Sequence, residues 1–158
     1  MRTDLPLSAT HEVRDRCLCL HVQRAARALA RRFDDALKPF DLTNGQFSLL
    51  MALNRPAPPR ISDLAPFLAM DRTTLTAALK PLRRRGLVLV EPDSEDRRSR
   101  RLRLTDDGVD LLIAALPVWR STHDRVDEDL DDLADDGLRD AMMALSTTRA
   151  RADRGGDV

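Results

Sequence analysis

From Ile61 to Thr105 the spacing of apolar residues changes twice, and this constrains the fold more than any other feature of the chain. Leu64, Ala65, Phe67 and Leu68 recur at the three-to-four spacing of a short amphipathic helix, with Ser62 placed to cap it. Ala69 and Met70 interrupt the pattern, which restarts at once. Asp71 is the expected N-cap of a second helix, Leu75, Ala78, Leu79 and Leu82 form its buried face, and Gly86 supplies a left-handed stop. Beyond Gly86 the period falls to two: 87–91 reads as a strand, 92–99 as a turn and 100–105 as a returning strand. Two short helices joined by a tight turn and followed by a hairpin make a winged helix-turn-helix.

The flanks are helical. Apolar residues from Leu18 to Phe40 keep helical spacing and predict one long helix over 13–40, with Pro39 near its end. Thr43 and Gln46 form a capping-box pair opening a helix through Phe47, Leu49, Leu50 and Leu53, which the proline-rich segment 55–59 breaks. Thr105 caps another helix, acidic in its first turn, that runs through Leu111, Leu112, Ala115, Leu116 and Trp119 with Pro117 as an expected kink. A break within the acidic stretch 127–136 precedes a last helix through Leu138, Met142, Met143 and Leu145. The expected fold is mainly α with a small β-hairpin wing. It divides into an N-terminal dimerisation helix (1–42), a winged module (43–105), C-terminal dimerisation helices (106–148) and a disordered tail (149–158).

The net charge of zero is a sum of unlike parts: residues 59–105 carry +5 and residues 106–140 carry −9. Such asymmetry points to a polyanion-binding module joined to something else, although one third of the chain is charged and solvated helix faces would account for part of it. Aromatics are only 3% and tyrosine is absent, which disfavours a β-sandwich. No apolar run approaches the ~18 to 20 residues that span a bilayer, and the N-terminal stretch lacks a signal peptide's apolar core, so a soluble cytoplasmic protein with no membrane partner is expected. Two cysteines, Cys17 and Cys19, are too few and too close for a disulfide framework.

At 100° per residue, Thr73, Ala77, Lys80 and Arg84 point away from the apolar face of the second short helix. Thr74 and Thr76 flank them, and Arg72 stands at the N-terminal end. Small hydroxyls near the start of a helix, followed by long cations, suit a recognition helix in the major groove of DNA: Arg72, Thr73, Thr74 and Thr76 near base edges, Lys80 and Arg84 near phosphates. The hairpin adds Arg97, Arg98, Arg100, Arg101 and Arg103. Arginine at a wing tip can enter a narrow minor groove while its neighbours pair with phosphates. Alternation sets Arg101 and Arg103 outward, Leu102 and Leu104 inward.

The stretch 61–88, together with Asp96, Arg98, Leu104, Thr105 and Gly108 at their spacing, resembles the MarR family of bacterial transcriptional regulators, over about Cys17 to Leu145. The resemblance implies a homodimer in which two winged modules read a roughly palindromic duplex operator. It also implies a small-molecule effector, aromatic or phenolic, that relieves repression from a pocket for which His21, Phe47, Met51 and Trp119 are candidates. Asp96 would shape the hairpin or pair with an arginine.

Cys19 occupies a position similar to the peroxide-sensing cysteine of the OhrR branch of that family, and the run 71–82 is also similar to that branch. The alternative reading is therefore a thiol-based peroxide or redox sensor acting through Cys19. Against it, the supporting tyrosines and a C-terminal resolving cysteine are missing, and within one helix the side chains of Cys17 and Cys19 would diverge by about 160°. Cys19 then falls on the apolar face, as a buried thiol packing like a hydrophobe. His11, His21 and His123 are scattered, with no partners at ligand spacing, so no metal and no cofactor is expected. No nucleophile, phosphate loop or acid–base pair points to an enzyme. A winged helix serving only protein assembly is the remaining alternative, and it predicts no salt-dependent duplex binding.

Overall fold

The computed structural model describes residues 4–93, 96, 99–133 and 136–147. The chain runs α1 (Leu7–Arg16), α2 (Leu18–Leu37), α3 (Asn44–Leu53), α4 (Ile61–Phe67), α5 (Arg72–Arg84), β1 (Val88–Pro92), β2 (Arg100–Leu104), α6 (Asp106–Leu130) and α7 (Asp136–Thr147). Short 3-10 turns at Lys38–Phe40 and Asp131–Leu133 follow α2 and α6. The expected tail 149–158 lies outside the described residues.

The winged module holds the core. Leu37, Leu42, Phe47, Leu50, Leu64, Leu75, Leu79, Leu82, Leu87 and Leu102 are all buried and belong to one cluster. Local chemistry sets the boundaries. Thr43 Oγ1 accepts from Gln46 N while Gln46 Oε1 accepts from Thr43 N, closing the capping box that starts α3. Asp71 Oδ1 caps α5 through Thr74 N at 2.8 Å. Gly86 takes φ 73°, the left-handed conformation that releases the chain into β1. The turn between α4 and α5 passes through Ala69 at φ 50°, a place where glycine would carry no steric cost.

The hairpin is antiparallel, with Val88 opposite Leu104 and Val90 opposite Leu102. Its inner face is sealed by Leu102 and Leu104. Arg60 makes an isolated antiparallel bridge to Arg101, and Leu102 N donates to Pro59 O at 2.9 Å, so the segment before α4 lies along the hairpin. Thr105 joins wing to α6: its N–H donates to Leu87 O, its hydroxyl donates to Gly86 O and accepts from Gly108 N.

Three expectations are corrected. The long helix over 13–40 is two helices, broken at Cys17, whose ψ of 97° leaves the helical region. α1 buries no residue in the single chain, so no packing within it holds the helix continuous. Cys17 is therefore the N-cap of α2, with Sγ accepting from Leu20 N at 3.4 Å, and Cys19 is exposed in this chain rather than buried. Ser62 does not cap α4; the N-cap is Arg60, two residues earlier, and Asp63 Oδ2 takes up Arg60 N at 3.0 Å. Pro117 lies inside α6, which continues to Leu130, where Asp131 at φ 49° turns the chain.

Candidate nucleic-acid interface

Helix α5 presents Arg72, Thr73, Thr74, Thr76, Lys80 and Arg84 on its exposed side, over a buried face of Leu75, Leu79 and Leu82. Their chemistry differs in ways that helical angle alone does not show. Thr74 donates its hydroxyl to Asp71 Oδ2 at 2.7 Å, and Thr76 donates to Arg72 O at 2.7 Å. Both hydroxyl protons are thus spent inside the helix, leaving an acceptor oxygen and a methyl group to face outward. The amide and then the hydroxyl of Thr74 hold the Asp71 carboxyl below its ordinary value.

The cations fall into two groups. Arg60 Nε and Arg101 Nε both lie on Asp93 Oδ2, at 2.8 and 2.7 Å. Arg103 pairs with Glu91 at 3.4 Å, and Arg85 donates to the carbonyls of Asp41 and Phe40. Arg100 Nη1 donates to Ser99 O at 3.1 Å. By contrast Arg72, Lys80, Arg83 and Arg84 make no ion pair among the described residues, and all four lie exposed on α5. Two grooves flank this row. One of about 260 Å³ lies where α4, α5 and the hairpin meet, lined by Arg60, Ile61, Ser62, Arg72, Thr76, Ser99 and Arg100. The other, of about 660 Å³, runs between Lys80, Arg83 and Arg84 and strand β1. A cationic helix beside a basic hairpin is suited to the paired grooves and phosphates of a duplex.

Two contributors were not foreseen. Arg83 was overlooked although it stands in the basic triplet 83–85. Asp93 left no sequence signal, because it looks like an ordinary turn acid; in the fold it is buried, 1% exposed, between arginines from two other segments. Arg97 and Arg98 lie outside the described residues. Asp96 has the hairpin-shaping position: its Oδ2 accepts from Ser99 Oγ and its carbonyl from Ser99 N, both at 2.8 Å.

Of the effector candidates, the structure brings together two. Phe47 stacks on Trp119 with centroids 5.9 Å apart and planes 19° apart. Phe33 and His123, neither singled out from sequence, complete the cluster, with His123 4.9 Å and Phe33 6.3 Å from Trp119. Met51, one turn along α3 from Phe47, is half-buried against the core. His21 is exposed on α2, twelve residues or about 18 Å of helix from Phe33. An apolar cavity of about 420 Å³ opens between α2, α6 and α7, with Phe33 and His123 on its wall beside Leu29, Val126, Leu130, Met142 and Met143. At its edge Asp127 meets Arg139 at 2.8 Å and His123 at 3.6 Å. No cluster of metal-ligating side chains occurs among the described residues, and no described helix is long and apolar enough to cross a membrane.

The model of the MarR family matches residues 42–99. The chain is 37% identical to the M. tuberculosis transcriptional regulator MosR, solved in complex with DNA; the match covers 82% of this chain and 93% of that one, with a TM-score of 0.75. It is 30% identical to the transcriptional repressor CouR, solved on a 23-mer DNA duplex, over 85% of this chain and 92% of CouR, with a TM-score of 0.70. The HTH-type transcriptional regulator SarZ of Staphylococcus haemolyticus is 29% identical over 114 residues, 72% of this chain and 75% of SarZ.

Proposed function

The chain belongs to the MarR family of DNA-binding transcriptional regulators, and from that membership we propose that it acts as a homodimeric repressor of a pseudo-palindromic operator, released by a small aromatic or phenolic ligand. The observation that carries the DNA-reading part is the row of cations on α5, Arg72, Lys80, Arg83 and Arg84, which make no ion pair among the described residues, beside a hairpin in which Arg101 and Arg103 are paired with acids of β1 and its end. In this reading residues 43–105 read DNA, and 1–42 and 106–148 hold the dimer. Arg72 and Thr73 face base edges with the oxygens and methyls of Thr74 and Thr76, while Lys80, Arg84 and Arg100 meet phosphates. Arg97 and Arg98 serve the wing in the minor groove. Two-fold symmetry sets the half-sites roughly one helical turn apart, about 10 base pairs. The test is selection of bound fragments from random DNA, followed by titration at several salt concentrations. A recovered inverted repeat bound with a steep salt slope supports the reading; recovery of no sequence and no salt-dependent binding overturns it.

The ligand part rests on the Phe33, Phe47, Trp119 and His123 cluster beside an apolar cavity, the kind of wall that flat aromatic molecules stack on. Quenching of Trp119, the sole tryptophan, by a panel of aromatic carboxylates and phenols, with loss of operator binding at matching concentrations, is the expected result. Quenching with operator affinity unchanged would separate binding from release and remove the regulatory claim.

One observation favours a second reading. Cys19 is exposed, and the helix break sets Cys17 outside the regular turn of α2, so the two thiols are not held on diverging positions of one helix. An organic hydroperoxide would transfer one oxygen to the Cys19 thiolate, giving a sulfenate and the corresponding alcohol. Operator titrations before and after hydroperoxide treatment decide it, with Cys19→Ser as control; identical binding in all arms eliminates the thiol switch.

A further inference from the structure

Asp93 closes a buried junction between the hairpin and the chain entering α4, which lies 33 residues earlier. Its Oδ2 takes Arg60 Nε at 2.8 Å and Arg101 Nε at 2.7 Å, and its Oδ1 accepts from Asp96 N at 3.2 Å. Its own N–H donates to Ser99 O at 3.1 Å across the hairpin. Arg60 stands at the entry to α4, Arg101 in β2, and Asp96 and Ser99 in the connection between the strands. Arg101 also donates to Pro58 O at 3.0 Å, tying the same strand to the chain before α4. A carboxylate 1% exposed is costly to bury unless its charge is met, and here two guanidiniums meet it.

This arrangement does two things. It withdraws two arginines on the basic face from the pool available to phosphates. It also fixes the hairpin's inclination to the helix pair, because the carboxylate is held by both.

We propose that Asp93 is a positioning residue for DNA binding: the Arg60–Asp93–Arg101 junction locks the wing to the start of α4 so that hairpin and recognition helix engage one duplex together. The proposal rests on the DNA-binding reading above. In it, Asp93 touches no DNA. Its removal therefore leaves every phosphate-directed cation in place and takes one negative charge from the basic face, while the hairpin loses the carboxylate that ties it to the start of α4. Specific binding should fall while non-specific binding does not, a split that no merely structural loss would produce.

The experiment compares wild type with Asp93→Asn on a DNA fragment that the wild type has itself selected and on an unrelated duplex of equal length. For Asp93→Asn, operator affinity is expected to fall about tenfold or more, while affinity for the unrelated duplex holds or rises by roughly two- to fivefold. Hydroxyl-radical footprinting should lose the protected minor-groove positions flanking the site, and methylation interference at guanine N7 in the major groove should persist. Circular dichroism reports whether the variant is folded. Should Asp93→Asn unfold, Arg101→Gln, which leaves Asp93 paired with Arg60, is expected to give the same footprint change in a milder form. A folded variant with the wild-type specificity ratio and footprint overturns the proposal, as does a parallel loss of both kinds of binding. Failure of the wild type to select any DNA overturns the DNA-binding reading instead.

Discussion

Lys80 and Arg72 are both exposed cations on α5, yet their positions assign them different tasks. Arg72 is the first residue of the helix and borders the groove shared with the hairpin, so its guanidinium can reach a base edge. Lys80, two turns on, faces the phosphate backbone in the proposed reading. We expect Arg72→Ala to weaken operator binding by about 1 to 3 kcal/mol and relax preference at one base position. Lys80→Ala should weaken all duplexes alike and lower the salt slope by roughly one; titrations on matched and mismatched fragments separate the two. Asp71 gives a pH prediction. Thr74 holds its carboxyl below the ordinary value, so the cap's contribution is complete above the unfolded value of about 3.9 and disappears as pH falls through the lower folded one. Asp71→Ala should accordingly melt below wild type at neutral pH, and the difference should shrink as melts are taken below the unfolded value of about 3.9. The outward residues of α5 were legible because a helix converts spacing into direction. The spent hydroxyls of Thr74 and Thr76 and the buried Asp93 were not, because hydrogen-bond partners and burial arise only when segments meet.

Thr105 and Gly108 show why a short pattern can mark an entire junction between elements. Thr105 bonds Gly86 O, Leu87 O and Gly108 N, and this draws the first turn of α6 against the start of β1. At Gly108 an added Cβ would run into the backbone carbonyl of Leu87, which cannot swing away as a side chain could. Gly108→Ala is expected to destabilise the protein by about 1 to 3 kcal/mol, the range for overpacking, with the shift read in urea unfolding midpoints. A wild-type midpoint would mean that β1 and α6 part without cost. Elements bounded by acceptor side chains, α3 by Thr43, α5 by Asp71 and α6 by Thr105, were readable in place. Those bounded otherwise were not: α4 is opened by the acid of its third position reaching back to Arg60, and α2 begins at a cysteine, for which no strong capping preference exists.

Leu7, Val13, Leu18 and Leu29 on the N-terminal helices, Ile113 on α6, and Met142, Met143 and Leu145 on α7 stand exposed in the single chain, while most leucines of the winged module are buried, Leu89 of β1 excepted. Apolar surface gathered on the terminal helices is what a homodimer would cover. Net charge zero then misdescribes the assembly, since the basic excess sits on the reading module and the acidic excess follows it in the stretch that begins α6. These two features give one coupled prediction. Each module offers four cations on α5 with no ion pair among the described residues, so a dimer seated on two half-sites should neutralise roughly six to eight phosphates, giving a slope of log K against log salt steeper than about −5. A double variant Met143→Asp, Leu145→Glu should sediment as a monomer and bind with about half that slope, because the second module no longer arrives with the first. A dimer with a shallow slope would mean that the α5 cations do not face the duplex. A monomeric variant retaining the full slope would mean that one module alone makes all the phosphate contacts.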